Sequence, residues 1–258
     1  MQTRWLLFPI VLVLGAARPV TGQSERLVVA DTVKLDFDRP ESWAMKYYAS
    51  LTLLTGAGVP RERHAGEIDL ALEGGSVPQL SIEERRVGFD GTKVEDVNKT
   101  RMFGRLRGTL GIGRGFALEL AYTPPLTVGG ARPNILALAL GRPFALSSSL
   151  RLGVRGYGQI GTITADITCS ASEVAAGNDL PRNPFQCVRP SEDVSRQKIA
   201  GLEVVAGYDG ASRVKPYAGI GVNYMGLAFH ANAVYSVTAE GLLNARVFFS
   251  YRVRGGGR

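Results

Sequence analysis

Cysteine is almost missing from this chain, with two residues in 258. That excludes a disulfide-dense mini-protein and a Cys-rich zinc module. After the first 22 residues no apolar run reaches 18, so no transmembrane helix is expected. There is no G-x-S-x-G, no H-E-x-x-H and no phosphate loop. Gly111-Ile112-Gly113-Arg114-Gly115 is Gly-rich, but it joins two strand patterns and reads as a hairpin turn. No repeat exceeds a hairpin rhythm, and the only low-complexity stretch is the Gly255–Arg258 tail. No basic run is interleaved with aromatics, so the formal charge of +7 is no signature of nucleic-acid binding. No cofactor, no metal and no catalytic residue are expected.

What is present is apolar residue and glycine. Hydrophobic residues make up 45% of the chain and Gly supplies 32 positions, against a usual Gly share of roughly 7%. Such a composition excludes a disordered chain. Arg4, the apolar run Trp5–Leu14 and the small residues up to Gly22 read as a secretory signal peptide cut after Gly22. Cutting there removes Arg4 and Arg18, leaving 28 basic against 23 acidic residues, a net +5. An exported chain without an apolar helix is either a soluble exported protein or a β-barrel of an outer membrane.

The dominant period is 2. Trp43, Met45, Tyr47, Ala49, Leu51 and Leu53 alternate with Ala44, Lys46, Tyr48, Ser50 and Thr52. The same alternation recurs at 68–73, 101–110, 116–122, 150–160, 200–208, 217–224 and 243–253. Residues 133–141 are apolar on both faces and read as a further strand. Several runs reach ten residues, near the roughly 9–11 needed by a tilted transmembrane strand. Trp43, Tyr122, Tyr208, Tyr224 and Tyr251 fall near strand ends on the apolar face, as in an interfacial girdle.

Connections alternate short and long if 79–89 forms a strand. Gly74–Pro78, Gly111–Gly115, Gly141–Ser148 and Asp209–Arg213 are the short ones. Gly56–Ala65, Asp90–Lys99, Thr123–Arg132, Thr164–Ser195 and Leu227–Glu240 are the long ones. Short periplasmic turns facing longer external loops are the outer-membrane rule. The weak strand is 79–89, whose Ile82-Glu83-Glu84-Arg85-Arg86 gives no lipid-compatible face. The expected fold is therefore all-β, an antiparallel up-and-down transmembrane β-barrel of 8–10 strands, alternatively 12. The expected organisation is a signal peptide at 1–22, a periplasmic extension or short plug at 23–42, the barrel at 43–253 and a tail at 254–258.

Val77-Pro78-Gln79-Leu80-Ser81, Glu84 to Lys93, Glu95 to Lys99, Phe103-Gly104-Arg105, Pro133 to Leu140 and Gly221-Val222-Asn223-Tyr224 together resemble a family of uncharacterised bacterial outer-membrane β-barrel proteins. The resemblance covers most of 43–253. It implies a fold and a bacterial outer-membrane location, with membrane lipid as partner, and no activity.

Cys169 and Cys187 lie in the longest connection, and export permits their oxidation to a disulfide bracing it. The polar faces give the lumen-lining candidates Lys46, Glu67, Asp69, Glu73, Arg101, Arg105, Arg107, Glu119, Arg151, Arg155, Glu203, Arg246 and Arg252. Arg outnumbers acid among them. They form either a weakly anion-selective pore or acidic-solute site, or an internal salt-bridge network filling a small barrel. The first functional expectation is a structural, passive small-solute pore or binding role. The alternative is a soluble exported β-barrel or sandwich binding an apolar ligand, with Leu51, Leu70, Leu118 and Leu202 turned inward. A third is an outer-membrane hydrolase using His64 and His230 with Glu62, Asp166 or Ser236 at the external rim.

Overall fold

The computed structural model describes residues 32–253 without 57, 59, 212, 213, 233 and 234; at 235 and 242–253 it describes the backbone alone. The expected signal peptide and the tail lie outside the described residues. In chain order the elements are β1 (Val33–Lys34), α1 (Pro40–Leu51), β2 (Ile68–Ser76), β3 (Arg86–Gly88), β4 (Lys93–Val94), β5 (Met102–Gly113), β6 (Phe116–Thr123), β7 (Arg132–Ala145), β8 (Leu150–Ala165), α2 (Ala171–Ala176), β9 (Asp193–Tyr208), β10 (Val214–Ala231) and β11 (Tyr235–Val253).

Eight of these strands form one antiparallel meander, in the order β11-β10-β9-β8-β7-β6-β5-β2. The two-residue β1 adds a parallel edge, with Val33 opposite Val237. A single row of paired residues crosses the whole meander: Leu70, Gly108, Leu120, Leu138, Gly158, Ala200, Tyr224 and Leu242. The sheet is not closed, because β2 and β11 are not paired with each other. The described residues thus show the expected antiparallel meander but not its closure into a barrel. The strand number agrees with the lower end of the expected range.

Three sequence assignments change. Trp43–Leu53 is not a strand; most of it belongs to α1. Its buried Met45, Tyr48 and Ala49 recur at i, i+3 and i+4, the spacing of one helix face, and Pro40 starts the helix from an extended Arg39. Residues 79–89 do not join the sheet. Their last part forms β3, which pairs with β4 in a separate two-stranded ribbon. The expected loop Leu227–Glu240 is mostly strand, since β10 runs to Ala231 and β11 starts at Tyr235.

Three connections at one end are short, at 114–115, 146–149 and 209–213. The opposite end carries 77–101, 124–131 and 166–192. We call these the short-turn end and the cap end. At the cap end Cys169 and Cys187 are joined in a disulfide, with Cα atoms 5.7 Å apart. There Ser170 caps α2 reciprocally with Glu173.

The two faces of the sheet have inverted polarity. Large apolar side chains point outward and are exposed: Leu70 is 84% exposed, Leu72 80%, Leu202 63% and Ile220 61%. Arg105, Arg107, Arg155, Gln159 and Glu203 point inward and are buried. The inward arrangement of Leu70 and Leu202 required by a soluble barrel is thus not adopted. Tyr122, Tyr208 and Tyr224 are on the outer face as expected, whereas Trp43 stacks on Tyr47 of α1, with ring centroids 5.7 Å apart. The side chain of Tyr251 lies outside the described residues.

The interior is filled by the chain's own N-terminal part. Near the cap end, α1 and Leu53–Leu54 pack against Ala121, Ala137, Ile199, Met225 and Leu227 of the inner wall. A second apolar cluster, Tyr48, Val87, Val97, Ile135, Ile163 and Ile167, joins the cap to the strand ends. From Thr52 the chain runs along the inner wall toward the short-turn end and then turns into β2.

Candidate functional site: a lumen closed by its own segment

The inner wall holds a chain of alternating charges. Arg105 and Arg107 both bind Glu73, the latter through Nη1 at 2.7 Å. Glu119 lies between Arg107, at 3.8 Å, and Arg155, at 3.2 Å. Arg155 also reaches Glu203 at 3.0 Å. The chain spans β2, β5, β6, β8 and β9. At this level β7 contributes small Ala139 and Gly141, so Arg155 can cross it to reach Glu119.

These charges also hold the lumenal segment. Arg105 Nη1 donates to the Thr52 carbonyl at 3.1 Å. Arg107 donates to the Thr55 carbonyl, and Arg155 Nη1 to that of Leu54 at 3.4 Å. The Leu54 N–H donates to Gln159 Oε1 at 3.1 Å, and the Gly56 N–H to Glu203 Oε1 at 2.8 Å. Gln197 Nε2 donates to Thr52 Oγ1 at 3.0 Å. An extended segment has polar backbone groups that burial would otherwise leave unpaired. The wall's Arg, Glu and Gln side chains satisfy them. Farther along, Pro60 packs so close to Gly153 that a Cβ there would lie 2.6 Å from Pro60 Cγ.

At the short-turn end a second ion cluster closes the segment's exit. Arg61 and Arg63 pair with Glu67 and Asp69, including Arg63 Nη2 to Asp69 Oδ2 at 2.6 Å. Between the two clusters lies a cavity of about 460 Å³, lined by Gly56, Pro60, Arg107, Glu119 and Arg155 among others. Over both clusters five Arg meet five carboxylates. Every Arg of this network is thus matched by an acid.

The candidates distribute as follows. Asp69, Glu73, Arg105, Arg107, Glu119, Arg155 and Glu203 are brought together on the inner wall, and Glu67 stands at its rim. Arg151 points inward, half-buried, near the short-turn end. Two assignments are corrected. Lys46 belongs to α1, where it donates to the Phe37 carbonyl and lies over the Phe37 ring. Arg101 is exposed before β5 and lines no lumen. Arg246 and Arg252 stand opposite Gly221 and Lys215 in the register, with side chains outside the described residues. Sequence reading missed Gln159, Gln197 and the lumenal segment itself. The signal lay in Thr52–Gly56, where the adjacent Leu53-Leu54 breaks the strand alternation before Pro60.

The two histidines are not brought together. His64 lies next to the short-turn end, beside Gly111, while His230 sits in β10 near the cap end opposite Ser236. Asp166 is bound to Lys99 at 2.8 Å. Among the described residues no cluster of His, Cys, Asp and Glu is arranged to hold a metal ion, and no helix is long and apolar enough to cross a membrane, which says nothing of strands. No protein-family model, curated protein or solved structure matches this chain.

Proposed function

We propose that this chain is a bacterial outer-membrane β-barrel protein whose lumen is closed by its own N-terminal segment. Its role is structural or solute-binding at the barrel's ends, without an open pore and without catalysis. The observation that carries this reading is the inverted polarity of the sheet. Leu, Ile and Val cover its outer face, while ion pairs fill its inner face. Water makes such an outer face costly, and lipid makes it favourable. On β9 the apolar outer run from Leu202 to Tyr208 is preceded by exposed Arg196 and Lys198, as expected where a strand leaves the hydrocarbon.

A bilayer also requires that no sheet edge stay unpaired. In this reading β2 closes onto the part of β11 beyond the residues that β1 occupies, giving an eight-stranded barrel. The five-to-five balance of charge favours a filled lumen over an anion-selective pore.

The experiment is fractionation followed by gel mobility with and without boiling, then conductance in planar bilayers. A heat-modifiable band in the outer-membrane fraction with negligible conductance is expected. Recovery in the soluble periplasmic fraction without a mobility shift would overturn the membrane reading. Steady ion conductance would overturn the closed lumen.

A further inference from the structure

A second cavity lies at the cap end, away from the ion network. Its volume is about 230 Å³, and it is enclosed by α1, the β3–β4 ribbon, the Ile167–Thr168 segment and the ends of β9–β11. Its walls include Met45, Tyr48, Val97, Phe229 and Val237. Phe89 lines its outer rim, is 67% exposed and lies 5.8 Å, ring to ring, from Phe185 of the disulfide-braced connection. The Asp90 N–H donates to Glu41 Oε1 at 2.6 Å, tying that lip to α1.

The charged groups of the wall and the Tyr48 hydroxyl already have partners. Tyr48 donates its hydroxyl to the Val97 carbonyl at 2.7 Å. Lys93 donates to Glu95 at 2.8 Å and also to the Thr168 carbonyl. Glu41 accepts from Arg39 and Asp90. A charged or strongly hydrogen-bonding ligand would have to break one of these pairs. An apolar ligand breaks none. Three aromatic rings and a thioether face the space, and rings and sulfur both favour contact with an aromatic guest. An apolar cavity of about 150 Å³ already holds benzene, so this one admits a single substituted ring.

We propose that this cavity is a binding site for a small uncharged monocyclic aromatic molecule entering from the cap end. The site stands apart from the lumenal ion network and does not depend on the membrane reading.

The methionines supply the test. Met45 lines the cavity, Met102 is 69% exposed on the outer face, and Met225 is fully buried in the same core cluster as Met45 but does not line the cavity. The full-length protein, labelled at its methionine methyl groups and held in detergent micelles, is titrated with toluene. The expected result is a saturable ring-current shift at Met45, with only a weak, linear response at Met102. Ala44→Phe fills the space from α1 and should weaken the Met45 response at least about tenfold, with the β-sheet circular dichroism spectrum kept. Ala231→Phe fills it from β10 and serves if the first variant fails to fold. A Met45 shift that stays linear and parallels Met102 would overturn the proposal, as would a saturable shift undiminished in a folded filled variant. A response appearing only after Leu27-Val28-Val29 is replaced by serines would also overturn it, by giving the cavity to the chain's own N-terminal segment.

Discussion

The backbone N–H of Gly56 donates to Glu203 Oε1 at 2.8 Å, joining positions 147 apart in the chain. Glu203 is almost fully buried, and the same oxygen also accepts from Arg155 Nη1. One carboxylate thus ties the lumenal segment to the wall and the wall to its ion chain. A Cβ on Gly56 would lie 2.6 Å from Glu203 Oε1 and 3.0 Å from Val205 Cγ2. Gly56→Val should therefore push the segment off the wall, at a cost of about 1–3 kcal/mol. The expected outcome in planar bilayers is a measurable conductance where the wild-type protein has almost none. Unchanged closure in a folded Gly56→Val protein would show that the segment does not seal the lumen.

Arg155 joins two carboxylates, the half-buried Glu119 and the buried Glu203. Replacing it by Met keeps the volume near its stem but leaves both acids without that cation. Breaking a buried ion pair from one side costs about 3–5 kcal/mol. Arg142 is a useful contrast, because it lies over the Phe116 and Phe144 rings, on the other face of the sheet. Arg142→Met should cost roughly 1 kcal/mol or less. Urea unfolding in lipid vesicles separates the two variants. Equal losses would mean that the ion chain adds little to stability.

The meander was legible in the sequence because a half-polar strand writes its faces into every second residue. The alternations at 101–110, 116–122, 150–160 and 200–208 all lie in strands, and the pattern also placed Arg105, Arg107, Glu119, Arg155 and Glu203 on one face. Alternation failed at Trp43–Leu53, where period 2 and helical spacing share several positions. Pro40 and the i, i+3, i+4 set Met45, Tyr48 and Ala49 were the evidence for a helix. The lumenal segment was hidden for a different reason. Its backbone is satisfied by side chains more than 50 positions away, such as Arg105 and Gln159, and no local pattern records that. Whether Arg exceeds acid in the lumen was also a three-dimensional question, since Arg101 and Lys46 leave the wall while Arg61 and Arg63 enter its ion network.

Leu138 stands in the middle of the row that crosses all eight strands, and it is 50% exposed. In lipid, arginine at mid-depth of an outward face costs about 2–4 kcal/mol. Leu138→Arg should accordingly reduce assembly into the membrane, read as loss of the fast-migrating unboiled band. In water the same change would relieve an exposed apolar residue and improve solubility. A Leu138→Arg protein that is more soluble and equally folded would contradict the membrane reading.

The Cys169–Cys187 bond closes a loop of 18 positions in the cap. The chain-entropy model gives about 3 kcal/mol for a loop near this size. The loop is also tied down by Asn183, which accepts from the Cys187 N–H at 2.7 Å and donates to the Gly177 carbonyl at 2.8 Å. Its anchoring to the sheet runs through the 166–168 segment and Asp193 of β9. Cys169→Ser with Cys187→Ser should speed proteolysis within 170–190 without changing the mobility shift on boiling. Loss of that shift would mean that the cap is needed for the barrel itself.

Lys93 and Glu95 form a buried ion pair under the β3–β4 ribbon. Desolvation outweighs the attraction of Lys93 and pushes the Glu95 carboxyl up to about 7 from its ordinary 4.5, with Glu173 and Asp193 adding to the rise. A carboxyl with a raised folded-state value binds its proton more tightly folded than unfolded. Its contribution to stability is full below pH 4.5 and is lost as pH climbs to about 7, after which it stays flat. Glu95→Gln cannot titrate, so its stability lacks this decline. The thermal midpoint of the wild-type protein minus that of Glu95→Gln should fall between pH 4.5 and 7 and then level off. A difference that rises with pH over that window would mean that attraction to Lys93 outweighs desolvation at Glu95.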